Sequence, residues 1–216
     1  MPFEAKKGDV LSVDAVGTVM RPMQPVARVY AEVARRHGYD VDPADVDERL
    51  LPAMRDDSDR NAADPEWRDY WRRVIFDSTG TDDESVFEEL YNHYGRGVAW
   101  HVDPQARHVA TRMRERGVKV AMISNFDRRL RPLAGALGIS DWLDLVVVSG
   151  EEGIEKPDPA IFARTAERLG ATTDRMLHVG DSKKRDVAGA RAAGCDALWF
   201  GHDLRSFHEL LTQFGL

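Results

Sequence analysis

Four short stretches of this 216-residue chain carry side chains that can do chemistry together: Asp14 in VDAVGTV, the pair Ser124-Asn125, Lys156 in EKPDP, and GDSKKRD from Gly180 to Asp186. A carboxylate held at the end of a strand, as Asp14 would be, can attack phosphorus and form an aspartyl phosphate. Two anions repel, so the attack needs a cation between nucleophile and phosphoryl group. Asp181 and Asp186 can provide for one, and hard oxygen ligands suit Mg2+, which typically takes carboxylates, a carbonyl, waters and a phosphate oxygen. Ser124 can donate a hydrogen bond to a phosphoryl oxygen, and Lys156 can neutralise charge on the nucleophile and the transferring group.

Such residues work together only if the fold brings strand ends to one edge. From residue 100 onward, short apolar runs rich in Val, Ile and Met alternate with amphipathic stretches of helical period, the pattern of βαβ units that build a parallel sheet. Strands are expected at 118–124 (VKVAMIS), 144–149 (DLVVVS), 175–180 (RMLHVG) and 196–200 (DALWF), with VLSVD at 10–14 supplying another. Near-continuous hydrophobicity suits strands covered on both faces. Helices fit between them at roughly 104–116, 127–137, 159–169, 184–193 and 204–213, several ending at a glycine (Gly117, Gly138, Gly170, Gly194), as left-handed caps favour. The motif residues then stand at or just past C-terminal strand ends, where open α/β sheets bind ligands.

Residues 20–100 differ: they show no clear strand, and their apolar residues recur at spacings of three and four. Val26, Val29, Tyr30 and Val33 line one helix face, Trp67, Tyr70, Trp71, Val74 and Ile75 a second, and Val86, Phe87, Leu90, Tyr91 and Tyr94 a third. The expected organisation is an α/β core of residues 1–19 and 101–216, interrupted by an all-helical insert at 20–100.

The chain is long enough to bury a substantial core, and 43% hydrophobic with 31% charged residues is the composition of a globular rather than a disordered, fibrous or membrane protein. A net charge of −7 with no basic run longer than Lys183-Lys184-Arg185 argues against a nucleic-acid partner. Cys195 is the single cysteine, so no intrachain disulfide is expected and a reducing compartment fits. MPFEAKKGDV lacks the apolar stretch of a secretory signal, and no segment approaches the ~18 apolar residues of a membrane span, so a cytoplasmic location without a membrane partner is expected.

In their order and setting, Asp14, Ser124-Asn125, Lys156 and GDSKKRD resemble the motifs of the haloacid dehalogenase-like (HAD) superfamily, whose members have a Rossmann-like core and often a helical cap inserted after the first strand. Singly each motif is common; as an ordered set, each after its own strand, they are specific. The likeness covers the whole chain, because the insert falls where that family's cap falls. It implies an α/β fold with a Rossmann-like parallel sheet and an all-α cap. It also implies Asp14 as nucleophile, Ser124 and Lys156 as phosphoryl-oxygen binders, and a Mg2+ site of Asp14, the Val16 carbonyl and Asp181. Asp186 would support the metal waters or Lys156, and Asn125, Gly17 and Thr18 would lie at the substrate. The implied activity is Mg2+-dependent hydrolysis of a small phosphorylated metabolite, chosen by the cap and its closure.

One position departs from the pattern. In HAD phosphatases the residue two after the nucleophile gives its backbone carbonyl to Mg2+ and an Asp side chain as general acid; Val16 keeps the first role and loses the second. General acid catalysis is typically worth about 10²- to 10⁴-fold, roughly 3 to 5 kcal/mol of barrier. The loss weighs on alkoxide leaving groups and far less on acyl or aryl phosphates, whose leaving groups are stable anions. Asp127 and His101 are candidates to stand in. A feebly catalytic HAD-fold binding protein is the alternative reading. The metal-free dehalogenase branch, which also lacks this Asp but typically alters the acidic pair retained in GDSKKRD, is a further one.

Plain structural roles compete for some of these residues. Asp127 stands where a helix should begin, and an N-cap is its simpler job. Asp181 and Asp186 can cap the next helix as well as bind metal. A lone His101 reads as a hinge residue, the Trp and Tyr stripe at 67–75 as helical core, and Cys195 as a small buried hydrophobe.

Overall fold

A computed structural model of the chain describes residues 6–55, 60 and 64–213. In chain order its elements are β1 (Val10–Val13), β2 (Met20–Pro22), α1 (Val26–Arg36), α2 (Pro43–Arg55), α3 (Arg68–Thr79), α4 (Glu84–Tyr94), β3 (Trp100–Val102), α5 (Pro104–Glu115) and β4 (Lys119–Ser124). There follow α6 (Leu130–Ala136), β5 (Leu145–Val148), α7 (Ser149–Glu152), α8 (Pro159–Arg168), β6 (Met176–Gly180), a π-helical turn (Lys183–Ala188), α9 (Gly189–Ala192), β7 (Asp196–Trp199) and α10 (Phe207–Gln213). The chain divides into two units, Met1–Arg21 with Val102–Leu216, and Pro22–His101.

In the first unit the apolar runs form five parallel strands in the order β5-β4-β1-β6-β7. Every residue of β1 and β6 is buried, which is why these strands read as continuous hydrophobic runs rather than alternating ones. Val10, Ile123, Val147 and Met176 share one core cluster with Ile161, Phe162 and Ala166 of α8 and Ala190 of α9; Cys195 lies buried in the same cluster. Val13 is opposite Met122 on one side and Val179 on the other, so β1 ends beside the final residues of β4, which continues to Ser124, and of β6, which continues to Gly180. The chain runs from β1 outward through β4 and β5, then returns to β6 and β7 on the other flank. That reversal puts the topological switch point at the C-terminal ends of β1 and β6.

Local signals set the helix ends. Asp103 and Asp158 accept from the backbone N–H groups of Gln105 and Ala160, each followed by a proline that needs no donor partner at the first helical position. Gly117, Gly138, Gly170 and Gly194 all adopt positive φ.

Three expectations need correction. The helix expected from 127 begins at Leu130, because the Asp127 carboxylate accepts from the Arg129 N–H and holds a turn instead. The stretch expected as a helix over 184–193 opens as a wider π-helical turn, in which Val187 N–H reaches back to Ser182 O. Residues 20–100 contain strand after all: β2 and β3 pair in a two-stranded sheet at the ends of the insert.

The second unit is helical between those strands. Tyr30, Val33, Ile75, Val86, Phe87 and Leu90 form its main cluster, and Ala53 of α2 packs with Trp67, just before α3, and with Tyr70 and Val74 of α3. The helix α2 was not among the expected stripes; its start is written as Asp42-Pro43, with Ala44 N–H donating to the Asp42 carboxylate. Among the described residues no helix is long and apolar enough to cross a membrane.

Candidate active site

Where β1 ends, Asp14 N–H donates to Val179 O of β6 at 2.9 Å, which ties the residue to the neighbouring strand end. The chain then turns sharply: Val19 and Met20 N–H both donate to Ala15 O, and Gly17 N–H to Met20 O. Gly17 adopts φ +91°, and a Cβ there would collide with the Asp181 carboxylate. Glycine is therefore the residue that lets the DAVGT turn and the GDSKKRD loop approach. Thr18 is buried in the turn, and its hydroxyl has no hydrogen-bond partner among the described residues.

Asp14 is 7% exposed, and its Oδ1 accepts from Lys156 Nζ at 2.6 Å. Lys156 is 2% exposed and gives its other hydrogen bonds to Ile123 O at 2.8 Å and Asp186 Oδ1 at 2.5 Å. An ammonium has three protons, so its donors are all taken. Asn125 secures the same loop, since its Oδ1 accepts from Lys156 N–H and its Nδ2 donates to Lys156 O, both at 2.8 Å, and to Glu155 Oε2 at 3.3 Å. The Asn125 amide thus serves the lysine loop, and positioning Lys156 describes its geometry better than holding substrate. Ser124, buried at the end of β4, has no side-chain hydrogen bond among the described residues.

Asp186 is turned inward by the π-helical turn, where Ser182 Oγ caps Arg185 N–H and Ser182 N–H donates to Asp186 Oδ2 at 2.8 Å. Gly180 makes room for it, because a Cβ there would strike the Asp186 side chain. Asp186 Oδ1 also meets His178 Nε2 at 3.2 Å. Asp181 is exposed, and its backbone carbonyl accepts from Trp199 Nε1 at 2.8 Å.

Carboxylate oxygens of Asp14, Asp181 and Asp186 lie within 4.8 Å of one another. With all three ionised, the single Lys156 ammonium leaves the cluster two charges negative. Burial pushes the Asp14 carboxyl above its ordinary value; Lys156 pulls it down, but not enough, while Asp186 and Asp181 add to the rise. Asp181 is raised as well, by burial and by Asp186. Burial opposes ionisation of Asp186 too, yet the His178 hydrogen bond and Lys156 outweigh it and hold this carboxyl well below the usual range. Burial disfavours the Lys156 cation, which Asp14 and Asp186 more than restore, and burial pushes the His178 ring below its ordinary value against the upward pull of Asp186. Hard oxygens with unbalanced negative charge fit a small divalent cation such as Mg2+.

The structure thus brings Asp14, Gly17, Lys156, Asp181 and Asp186 to one strand edge, with Val16 in the same turn. Asp127 is fully buried and paired with Arg129 through 2.8 and 2.7 Å hydrogen bonds, so the N-terminal turn, not proton donation, is its place. Ser12 and His178 went unnoticed in the sequence. Their signal was present: each is a polar residue in an otherwise apolar strand, and the two are direct partners across β1 and β6.

A family model described as haloacid dehalogenase-like hydrolase matches residues 9–194. The human haloacid dehalogenase-like hydrolase domain-containing protein 3 is 32% identical over 200 residues, which cover 86% of this chain and 78% of that protein. Ribulose-1,5-bisphosphate 5-phosphatase of Halopiger xanaduensis is 29% identical over 175 residues, covering 78% and 73%. Among solved structures, the HAD phosphatase of Thermococcus onnurineus matches with a TM-score of 0.68 at 24% identity, over 96% of this chain and 98% of that one. At that identity the likeness speaks for the fold.

Proposed function

This chain belongs to the haloacid dehalogenase-like hydrolase family, and on that premise we propose that it is a Mg2+-dependent phosphatase acting on a small phosphorylated metabolite. The observation that carries the reading is the cluster of three carboxylates, two of them paired with one buried lysine. Asp14, Asp181 and the Val16 carbonyl would hold the cation, with Asp186 behind them. When bound, it supplies charge neutralisation between the nucleophile and the phosphoryl group.

Asp14 Oδ2, which accepts no hydrogen bond among the described residues, attacks phosphorus. The bond from phosphorus to the leaving oxygen breaks, and its electron pair departs with that oxygen. Forming the aspartyl phosphate removes the carboxylate charge that held Lys156, so a proton of Nζ can turn to a phosphoryl oxygen; the Ser124 hydroxyl donates to another. Water then attacks phosphorus, the bond to Oδ2 breaks, and phosphate and free Asp14 result. Val16 gives no proton to the leaving group, which favours acyl and aryl phosphates. The retained acids favour this chemistry over metal-free carbon–halogen cleavage, for which the excess negative charge has no use. Substrate choice we assign to the helical unit Pro22–His101, as its cap.

The test is a panel of phosphate esters with Mg2+ supplied. Acetyl phosphate and p-nitrophenyl phosphate should turn over faster than alkyl phosphates, and Asp14→Asn should abolish all turnover, an amide being too poor a nucleophile. No turnover by the wild type would favour a binding protein on the same fold. Wild-type rates in Asp14→Asn would place the chemistry on another residue.

A further inference from the structure

Ser12 and His178 lie inside the sheet, each 0% exposed, with no part in the chemistry so far. Burying polar groups is costly unless each finds a partner, so their hydrogen bonds define what they do. His178 Nδ1 meets Ser12 Oγ at 2.8 Å, and Nε2 meets Asp186 Oδ1 at 3.2 Å. Phe162 of α8 closes on the ring edge-on, with centroids 5.0 Å apart at 80°. A carboxylate only accepts, so Nε2 carries the proton; Nδ1 is the nearer acceptor for the Ser12 hydroxyl, which donates there. The other acceptor within reach of Ser12, Leu177 O, is farther at 3.4 Å. Donation therefore runs one way, from Ser12 to His178 to Asp186. Its end point, Asp186 Oδ1, is the same oxygen that takes Lys156 Nζ.

We propose that His178, with its Nε2 proton directed at Asp186 and its ring oriented by Ser12, is a positioning residue that pins Asp186 Oδ1 and thereby holds Lys156 Nζ against Asp14. Ser182 N–H anchors only the other oxygen, Oδ2. Without His178 the carboxylate pivots about that anchor, and the lysine loses a fixed counter-charge. The catalytic consequence rests on the phosphatase reading; the placement of Lys156 does not.

Side-chain length separates this role from mere polar filling. Glutamine carries its amide nitrogen at the level of the imidazole Nε2, whereas asparagine ends at the level of Nδ1. His178→Gln keeps a donor for Asp186, His178→Asn keeps only the bond to Ser12, and His178→Leu keeps neither. In 15N-resolved spectra of the full, metal-free chain, the wild-type His178 ring should carry its proton on Nε2. The Lys156 ammonium signal should be visible in wild type and His178→Gln and lost to exchange in the Asn and Leu variants. With Mg2+ and p-nitrophenyl phosphate, kcat should fall about 10- to 100-fold in Asn and Leu with KM little changed, and recover in Gln. A proton on Nδ1, equal behaviour of Asn and Gln, or a folded Leu variant with wild-type signals would overturn the proposal. If the position-178 variants do not fold, Ser12→Ala tests the same hydrogen-bond chain: the ring loses the bond that orients it, so the Lys156 ammonium signal should weaken, and a wild-type Lys156 signal in folded Ser12→Ala would refute the proposal. A wild type without turnover would sink the phosphatase reading alone, since the two NMR signals still decide where Lys156 is held.

Discussion

Val16 shows how far one side chain can reshape a site whose backbone is kept. The turn it occupies is fixed by backbone hydrogen bonds to Ala15 and Met20 and by the positive φ of Gly17, none of which involves the Val16 side chain. Val16→Asp should therefore restore a proton donor without moving the carbonyl. Alkyl phosphates, whose alkoxide needs a proton, should gain by something approaching 10²- to 10⁴-fold, while p-nitrophenyl phosphate should barely change. A thermal melt must accompany the kinetics, because another carboxylate beside Asp14, Asp181 and Asp186 adds like charge. Equal gains on both ester classes in a folded variant would refute the missing-acid account.

At the scale of elements, the site is a meeting of loops at one edge of the sheet, and several of them are tied together by a specific group. Asn125, just after β4, holds both the N–H and the C=O of Lys156, thirty-one positions along the chain. Removing an amide that satisfies two backbone groups typically costs about 1–3 kcal/mol. Asn125→Ala should lower the unfolding free energy by an amount in that range and slow turnover of every ester alike, since it loosens Lys156 without touching the leaving group. A selective loss on one ester class would instead indicate that Asn125 contacts substrate. The π-helical turn acts in the same way, as the widened backbone that aims Asp186 inward while Ser182 caps it.

For the whole molecule, the uncompensated charge of the cluster becomes a stability effect. A carboxyl whose folded pKa is raised destabilises the fold when ionised; its stability contribution is complete below the unfolded value and lost as pH rises through the folded one. Asp14 and Asp181 are of this kind, whereas Asp186, held low, contributes stability at neutral pH that is lost only as pH falls below the ordinary carboxyl range. Two consequences follow for melting curves. Mg2+ should raise Tm, by a free energy of about 2.7 kcal/mol at a concentration one hundred times its Kd, with reversal by EDTA. Asp181→Asn should melt higher than the metal-free wild type at neutral pH and lose the Mg2+ response, and its advantage should narrow as pH falls through the raised carboxyl values. A variant that is less stable at neutral pH, or that keeps the Mg2+ shift, would contradict the charge account.

Sequence alone carried the family and the α/β class, because apolar runs, helical stripes and the glycines that end helices are local signals that the fold does not reassign. It could also place Asp14, Ser124 and Asp181 at strand ends, since a strand's end is readable from where its apolar run stops, whereas Lys156 lies beyond β5 and α7. Helix starts were less legible where side chains compete for the backbone: Asp127 takes the Arg129 N–H for itself, and Ser182 with Asp186 widens the turn before α9. β2 and β3 are too short to leave a periodic pattern. The partnerships were beyond reach of any local pattern. Lys156 is shared between Asp14, 142 positions away, and Asp186, 30 positions away, and Ser12 faces His178 across 166. Only the strand order β5-β4-β1-β6-β7 puts β1 beside β6 and so makes neighbours of them. Proximity then does what composition cannot: it sets Asp14 and Asp186 against one buried lysine, with Asp181 at the exposed edge of the cluster, where their charges must be balanced.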